Sequence, residues 1–323
     1  MQNMLKNPGL IMLALLWVLV HAPARGQNTR TDSISGSGVS FDLVLVPGGT
    51  FDMGSPPDDV KAQPNEQPLH LVRLDSFWMG THEVSYDEFI VFYHLEKDSD
   101  TSTHPTNKYT AAAVSRPTPQ YIDYTYGMGK EGFPVVAMTQ QAALRYCYWL
   151  YEKTGIFYRL PTEAEWEFAC KKGLNDKLAV ENLSDYAWYY DNSFEKYHEV
   201  GTKKPNTPGI YDMFGNVAEW TLDYYDVDYL KNLVGMPASN PWVEPTRKHS
   251  RTVKGGSYDS NANECRCAFR QKSDPRWQAR DPQIPKSRWW NPDSPFVGFR
   301  LVSPVKPLTE IEVQAFFEKA IKE

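Results

Sequence analysis

The spacing of hydrophobic and polar positions predicts helices at several places along the chain. Ser85 and Glu88 form a capping box before an apolar run. Thr139 can cap a segment that continues to Lys153 with one apolar stripe. Pro161 suits the first turn of a third helix. Each of these signals is local, so each predicts a helix start without tertiary information.

Outside these helices the pattern indicates short strands and long loops. Residues 41–46 are typical of a strand, and the stretch from about 175 to 305 contains no strong helix. The last segment, residues 306–323, is predicted as a C-terminal helix that opens with a capping box at Thr309 and Glu312. The pattern therefore favours a loop-rich α+β fold.

The chain is interpreted as one folded domain with short segments on either side. Its 323 residues contain no internal repeat, and no linker-like stretch interrupts residues 41–305. Residues 1–26 are predicted as a signal peptide. Residues 27–40 are polar and rich in Gly and Ser, which predicts a flexible leader before the domain.

The signal-peptide prediction depends on a short apolar run behind a positive charge. Lys6 precedes the run Leu10–Val20, which is too short to span a bilayer, where about twenty residues are needed. Cleavage is expected after Ala24 or Gly26. No cysteine precedes Cys147, which excludes a lipoprotein. The mature protein is therefore expected to be periplasmic or extracellular, without a transmembrane segment.

Composition and charge narrow the class of protein. Lys plus Arg number 34 and Asp plus Glu 40, and no basic run stands out, so nucleic-acid binding is not expected. Gly and Pro number 20 and 24, which argues against a helix bundle. Aromatic residues make up 14% of the chain and are expected to supply much of the core.

Three places carry residue types that suit chemistry. Arg159 can clamp a carboxylate bidentately or form a structural corner. Asp212 and Glu219 flank a Gly-Asn turn, which suits a hard cation such as Ca²⁺ but is also common in plain turns. Ser257 follows paired glycines and can face a cleft. Four cysteines allow three pairings, and Cys265 and Cys267 are expected to face different partners.

Seven sequence blocks in a fixed order resemble one protein family over residues 41–303. The family is that of the formylglycine-generating enzymes, also called sulfatase-modifying factors, with their non-catalytic relatives. The resemblance implies a C-type-lectin-like α+β fold that is loop-rich and has little regular secondary structure. The blocks are VPGGTFDMG (46–54), EVSYDEF (83–89), FPVVAMT (133–139), RLPTEAEWEFAC (159–170), YDMFGNVAEW (211–220), KGGSY (254–258) and GFRLV (298–302).

The resemblance also indicates which residues an active member of the family needs. Active members oxidise a cysteine in a sulfatase Cys-x-Pro-x-Arg motif to formylglycine and hold Cu(I) between two cysteines. The corresponding positions here are Ser260 and Cys265, with Ser257 beside them. A serine hydroxyl is a hard ligand and does not replace a thiolate on Cu(I). The resemblance thus favours a divergent or non-catalytic bacterial member, a binding or assembly module at the cell envelope with a protein or carbohydrate partner.

Two enzymatic alternatives stay open. The first is an active copper-dependent oxidase that acts on a sulfatase and uses Cys265 with Cys267 as an unexpected second ligand. The second is another enzyme on this fold, like the iron-dependent sulfoxide synthases. That reading needs a histidine-rich motif, and no two of the seven histidines lie three or four residues apart.

Further expectations follow from the resemblance. It implies a disulfide between Cys170 and Cys267 and leaves Cys147 as a buried free thiol. It places a calcium ion at Asp212 and Glu219, with the backbone carbonyls of two residues between them, Gly215 and Val217.

The segment 274–295 is longer than the corresponding family segment and sets cations beside aromatic rings. Such a loop can bind carbohydrate, an anion or a protein, or it can fill the domain's own groove. Its candidate residues are Arg276, Trp277, Arg280, Arg288, Trp289 and Trp290.

Overall fold

A computed structural model describes residues 28–94, 116–172, 181–233 and 235–321. The predicted signal peptide lies outside the described residues. The described chain has a mixed α+β architecture in which short elements are joined by long loops, and the predicted fold class is confirmed.

The helices begin where the local capping signals predict them. Capping boxes are present at Ser85 and Thr309, and Thr139 accepts a hydrogen bond from Ala142 N–H. The third helix is capped by Thr162 rather than opened by Pro161. No described helix combines the length and apolar character needed to cross a membrane. The helices are α1 Tyr86–Tyr93, α2 Gln140–Thr154, α3 Glu163–Lys171, α4 Leu183–Tyr186, α5 Tyr229–Asn232 and α6 Glu310–Ala320, with 3₁₀ turns at Pro64–Glu66 and Pro275–Gln278.

The strands form four small sheets in the described chain, ordered β1-β2-β5-β13, β11-β10-β8-β12, β3-β4-β9 and β6-β7. Many strands have only two to five residues, so each sheet depends on pairing between distant parts of the sequence. The strands are β1 Thr29–Ser33, β2 Ser40–Val46, β3 Gly49–Met53, β4 His70–Leu74, β5 Phe77–Gly80, β6 Ala187–Trp188, β7 Phe214–Gly215, β8 Ala218–Tyr224, β9 Ala238–Ser239, β10 Arg251–Lys254, β11 Gln271–Lys272, β12 Val297–Gly298 and β13 Val302–Pro304.

Strand β1 corrects the prediction of a flexible leader at residues 27–40. It pairs antiparallel with β2 along its whole length. Asp32 in β1 is 8% exposed and accepts a hydrogen bond from the Tyr158 hydroxyl at 2.6 Å. The side chain of Ile34, just after the strand, is buried. The domain therefore begins before residue 41, because this polar edge strand draws its stability from backbone pairing and two buried contacts.

Aromatic rings fill the core around α1 and α2, as the composition predicts. Phe89 and Tyr146 stack at a centroid distance of 5.6 Å, and Phe92 meets Tyr146 edge to face at 5.8 Å. The predicted C-terminal helix is present as α6 and packs on the same core. Its Phe317 meets Tyr148 of α2 edge to face at 5.0 Å.

Candidate functional site

The loop that follows β10 brings Ser257 and Cys265 to one part of the domain. Gly255 and Gly256 have φ values of 94° and 71°, a region that L side chains rarely adopt. A Cβ on Gly256 would lie 2.9 Å from the Cys265 sulfur. The second glycine therefore permits close approach of the cysteine to the backbone of the loop.

Ser260, at the first predicted copper position, is held within this turn. Its hydroxyl oxygen accepts a hydrogen bond from Ser257 N–H at 3.1 Å, and the two hydroxyl oxygens are 3.4 Å apart. Its carbonyl accepts a hydrogen bond from Tyr190 N–H at 3.0 Å. These contacts give Ser260 a role in the shape of the loop.

Cys265, at the second predicted copper position, is a buried thiol. Cys265 is 1% exposed, and this burial raises the pKa of its thiol to about 12. A thiol with that pKa is protonated at neutral pH, whereas Cu(I) binds the thiolate.

The other cysteines do not supply a second thiolate. Cys267 forms a disulfide with Cys170 at a Cα separation of 5.6 Å, which confirms the predicted pair. Cys147 is a buried free thiol in α2, also as predicted, and burial raises its pKa. The described residues at the expected copper position therefore do not fit Cu(I) with two thiolates.

Two exposed aromatic side chains that were not among the predicted site residues flank the same loop. Tyr190 and Phe194 are 59% and 80% exposed. Tyr190 is tied to Ser260 through its backbone, and Ser193 donates a hydrogen bond to the Tyr258 carbonyl at 2.8 Å. The aromatic run at residues 188–194 was the available signal.

Glu219, the second predicted calcium carboxylate, is committed to protein donors. It accepts hydrogen bonds from Arg300 Nε at 2.6 Å and Arg300 Nη2 at 2.5 Å. Trp166 Nε1 adds a third at 2.8 Å. All three side chains are buried. The Arg300 guanidinium is thus the counter-ion of the Glu219 carboxylate.

Asp212, the first predicted calcium carboxylate, is only partly paired. Its Oδ2 accepts a hydrogen bond from Gly201 N–H at 2.6 Å, and its side chain is within hydrogen-bonding distance of the Glu83 carboxyl group. Gly215 is required in this loop because a Cβ there would lie 2.0 Å from the Trp188 carbonyl oxygen. The predicted ligand set therefore fits calcium in part, through the Asp212 carboxylate, while Glu219 is engaged by Arg300.

Glu83 lies beside this loop and was missed by the sequence analysis as a site residue. It is 0% exposed, its Oε1 accepts a hydrogen bond from Asn216 Nδ2 at 3.2 Å, and its carboxyl group is within hydrogen-bonding distance of the Asp212 side chain. Burial raises the pKa of Glu83 well above its ordinary range, and the charge of Asp212 raises it further. No three His, Cys, Asp or Glu residues among the described positions are grouped to hold a metal ion.

Arg159 forms the structural corner that the sequence left as one of two alternatives. Its Nη1 and Nη2 donate to the two carboxylate oxygens of Glu165 at 2.6 and 2.7 Å. Glu163 pairs with Arg270, and Glu167 pairs with Lys254. All three acids of α3 are therefore used to tie the helix to other elements.

The segment 274–295 divides into a buried aromatic part and an exposed cationic part. Trp289 and Trp290 are each 2% exposed, and Trp277 packs against Trp220 at 5.7 Å. Arg276 and Arg280 are largely exposed and pair with nearby aspartates. The backbone carbonyl of the sixth candidate, Arg288, accepts a hydrogen bond from the Thr139 hydroxyl. The tryptophans thus pack in or against the core, whereas the side chains of Arg276, Arg280 and Arg288 are exposed.

Comparison with known proteins identifies the family. Residues 37–282 match the sulfatase-modifying factor enzyme 1-like domain. The chain therefore belongs to this family, as the seven sequence blocks predict.

The curated relatives differ in length and in name. The chain is 30% identical over 268 residues to the serine/threonine-protein kinase pkn1 of Chlamydia pneumoniae, covering 81% of this chain and 40% of that protein. It is 28% identical over 277 residues to the formylglycine-generating enzyme of Mus musculus, covering 72% of this chain and 71% of the enzyme.

Solved structures share the fold at low sequence identity. PvdO from Pseudomonas aeruginosa superposes with a TM-score of 0.59 at 23% identity, over 82% of this chain and 94% of PvdO. Treponema denticola variable protein 1 gives a TM-score of 0.59 at 23% identity, over 85% of this chain and 99% of that protein. These likenesses show the fold alone.

Proposed function

We propose that this protein is a sulfatase-modifying-factor-like domain without oxidase activity that acts as a binding or assembly module at the cell envelope. The observation that carries the proposal is the state of the copper position. A hydrogen-bonded serine stands at the first ligand, and the cysteine at the second is buried and protonated.

The thiol chemistry supports the loss of copper binding. Burial raises the pKa of the Cys265 thiol to about 12, so in the absence of metal the thiol is protonated at pH 7. The alternative second ligand, Cys267, would first have to leave its disulfide with Cys170. An active oxidase acting on a sulfatase is therefore the second choice.

The binding role is supported by surface features beside the same loop. Tyr190 and Phe194 present large aromatic side chains to solvent, and aromatic rings are typical of protein and carbohydrate contacts. The segment 274–295 carries further exposed cationic groups, Arg276 and Arg280. We propose a protein or carbohydrate partner that contacts the exposed aromatic side chains. The proposal includes export through the signal peptide and one Ca²⁺ near Asp212.

The deciding experiment measures copper and turnover together. The mature protein is titrated with Cu(I) against a competing chelator and incubated with a Cys-x-Pro-x-Arg peptide under O₂. We expect neither stoichiometric Cu(I) binding nor formylglycine. The Ser260→Cys variant tests whether one missing thiolate explains the loss, and Cys147→Ala, which removes the other free thiol, is the control. Peptide turnover that is lost in Cys265→Ala but kept in Cys147→Ala would overturn the proposal.

A further inference from the structure

A small cavity lies where the first turn of α2, the start of β10 and the end of α6 meet. The cavity is lined by Thr139, which caps α2, by Gln141 in the first turn of α2, by Arg251 in β10 and by Ile321, the residue after α6. Its free volume of about 10 Å³ accommodates the centre of one water-sized particle. The cavity is separate from Ser257, Cys265 and the predicted calcium loop.

Two cationic residues, Lys248 and Arg251, line this cavity, and the guanidinium of Arg251 is buried without an ion pair among the described residues. Arg251 is 3% exposed, and its Nε and Nη1 donate only to the carbonyls of Lys248 and Leu222, at 3.0 and 3.4 Å. Among the described salt bridges, the buried Arg159, Arg266, Arg270 and Arg300 each pair with a carboxylate, and Arg251 does not. A buried cation without a counter-ion is costly.

The nearby acids do not neutralise Arg251 directly. Asp223 influences Arg251 electrostatically, but its two oxygens accept hydrogen bonds from the backbone N–H groups of Glu163 and Val243. Burial lowers the pKa of Arg251 to about 10, and the charge of Asp223 only partly opposes this. The positive charge at the cavity wall therefore persists at neutral pH.

Two amide side chains at the cavity have no protein partner. Gln141 is 5% exposed and Asn291 is 1% exposed, and both line the cavity. Gln141 Oε1 and Asn291 Oδ1 are buried without hydrogen bonds, as is Nδ1 of His249. As placed, the unpartnered atoms are oxygens, but no hydrogen bond with the described residues fixes either amide, so a half-turn of its terminal bond brings the NH₂ group to the position of the oxygen. Buried polar groups are rarely left without a ligand or water.

The N-terminus of α2 adds a partial positive charge at the cavity. Gln140 and Gln141 are the first two residues of the fifteen-residue helix α2, where backbone N–H groups have no intrahelical acceptor. The positive end of the helix dipole favours an anion at this position.

We propose that this cavity binds one small monatomic anion, of which chloride is the common example. The buried guanidinium, the first turn of α2 and the two unpartnered amides converge on one space of the right size. The space is too small for phosphate or sulfate. Because Ala320 and Ile321 close the cavity, the bound anion stabilises the docking of α6 against α2.

The anion is located directly by replacing chloride with bromide in crystals of the full mature protein. We expect an anomalous difference peak between Arg251 and the first turn of α2. An ordered water without an anomalous peak would overturn the proposal.

Thermal unfolding gives an independent readout in sodium chloride and in sodium gluconate at equal ionic strength. We expect a saturable rise of about 3 °C or more in Tm with chloride only. Gln141→Glu supplies an internal carboxylate and is expected to abolish this rise, whereas Gln314→Glu on the exposed face of α6 keeps it. Identical Tm values for the wild type in both salts would contradict the site, whatever the variants do.

Discussion

Asp223 is a fully buried carboxylate whose protonation affects the whole domain. Burial, followed by the charge of Glu163, raises the pKa of Asp223 from 3.8 to about 7. An acid with a raised pKa binds its proton more tightly in the folded state. Its contribution to stability is therefore complete below about pH 4 and is lost as the pH rises toward 7, a difference of about 4 kcal/mol.

We expect Asp223→Asn to remove this loss, because the amide stays neutral across the range. The free energy of unfolding, measured by urea denaturation at several values between pH 4 and 7, should fall less steeply for the variant than for the wild type. Asp191→Asn, at an exposed position, serves as the control. Parallel pH profiles for wild type and Asp223→Asn would contradict this assignment.

The two predicted calcium carboxylates should respond differently to mutation. Glu219→Gln removes the counter-charge of buried Arg300 and should cost about 3–5 kcal/mol with or without calcium. Asp212→Asn keeps an oxygen that can accept the hydrogen bond from Gly201 N–H and removes the negative charge, so it should remove mainly the calcium-dependent part of stability. Melting curves in calcium and in EDTA distinguish the two effects. A wild-type Tm that does not respond to EDTA would exclude the ion.

Among the helices, the stability of α3 depends on its N-terminal cap more than the stability of an exposed helix does. Thr162 and Glu165 form the capping box, and Glu165 also holds Arg159. Thr162→Ala should therefore lower the free energy of unfolding by about 1–2 kcal/mol. Thr309→Ala removes the corresponding capping residue of α6, where the capping residues are exposed, and should lower the free energy of unfolding by less. Urea denaturation of the two variants makes the comparison. Equal losses would show that the link to Arg159 adds nothing.

Local signals made the helices predictable, and long-range pairing made other elements unpredictable. The caps at Ser85, Thr139 and Thr309 lie within three residues of the groups they bind, so the sequence contains them. The strand Thr29–Ser33 is polar and forms only by pairing with β2, so its local sequence predicts a flexible leader and not a strand.

The candidate site shows the same division between local and distant information. The resemblance carried by the sequence blocks predicted the Cys170–Cys267 disulfide, which is present, and pointed to Ser260 and Cys265, which lie in one loop. The blocks did not reveal that Glu219 forms an ion pair with Arg300, which is 81 residues away in the sequence. Nor did they reveal that Trp289 and Trp290 belong to the core. Those contacts connect segments that only the folded chain brings together.

At the scale of the whole molecule, buried ion pairs connect elements that are too short to be stable alone. Glu66, near the amino-terminal sheets, pairs with Arg266. Glu219 in β8 pairs with Arg300. A fold with small sheets has limited apolar area in each, and these pairs fix the relative positions of distant loops.

The disulfide is the strongest long-range constraint on the described chain. It joins Cys170 at the end of α3 to Cys267 across 97 residues of sequence, and a loop of that length corresponds to about 4–5 kcal/mol in the chain-entropy model. We expect the double variant Cys170→Ala/Cys267→Ala to lose about 2–5 kcal/mol of unfolding free energy. Dithiothreitol should lower the wild-type Tm and leave that of the double variant unchanged. Cys147→Ala, which keeps the disulfide, should remain sensitive to the reductant. If non-reducing peptide mapping joined Cys170 to Cys265 instead, Cys267 would be free and the copper position would need to be reconsidered.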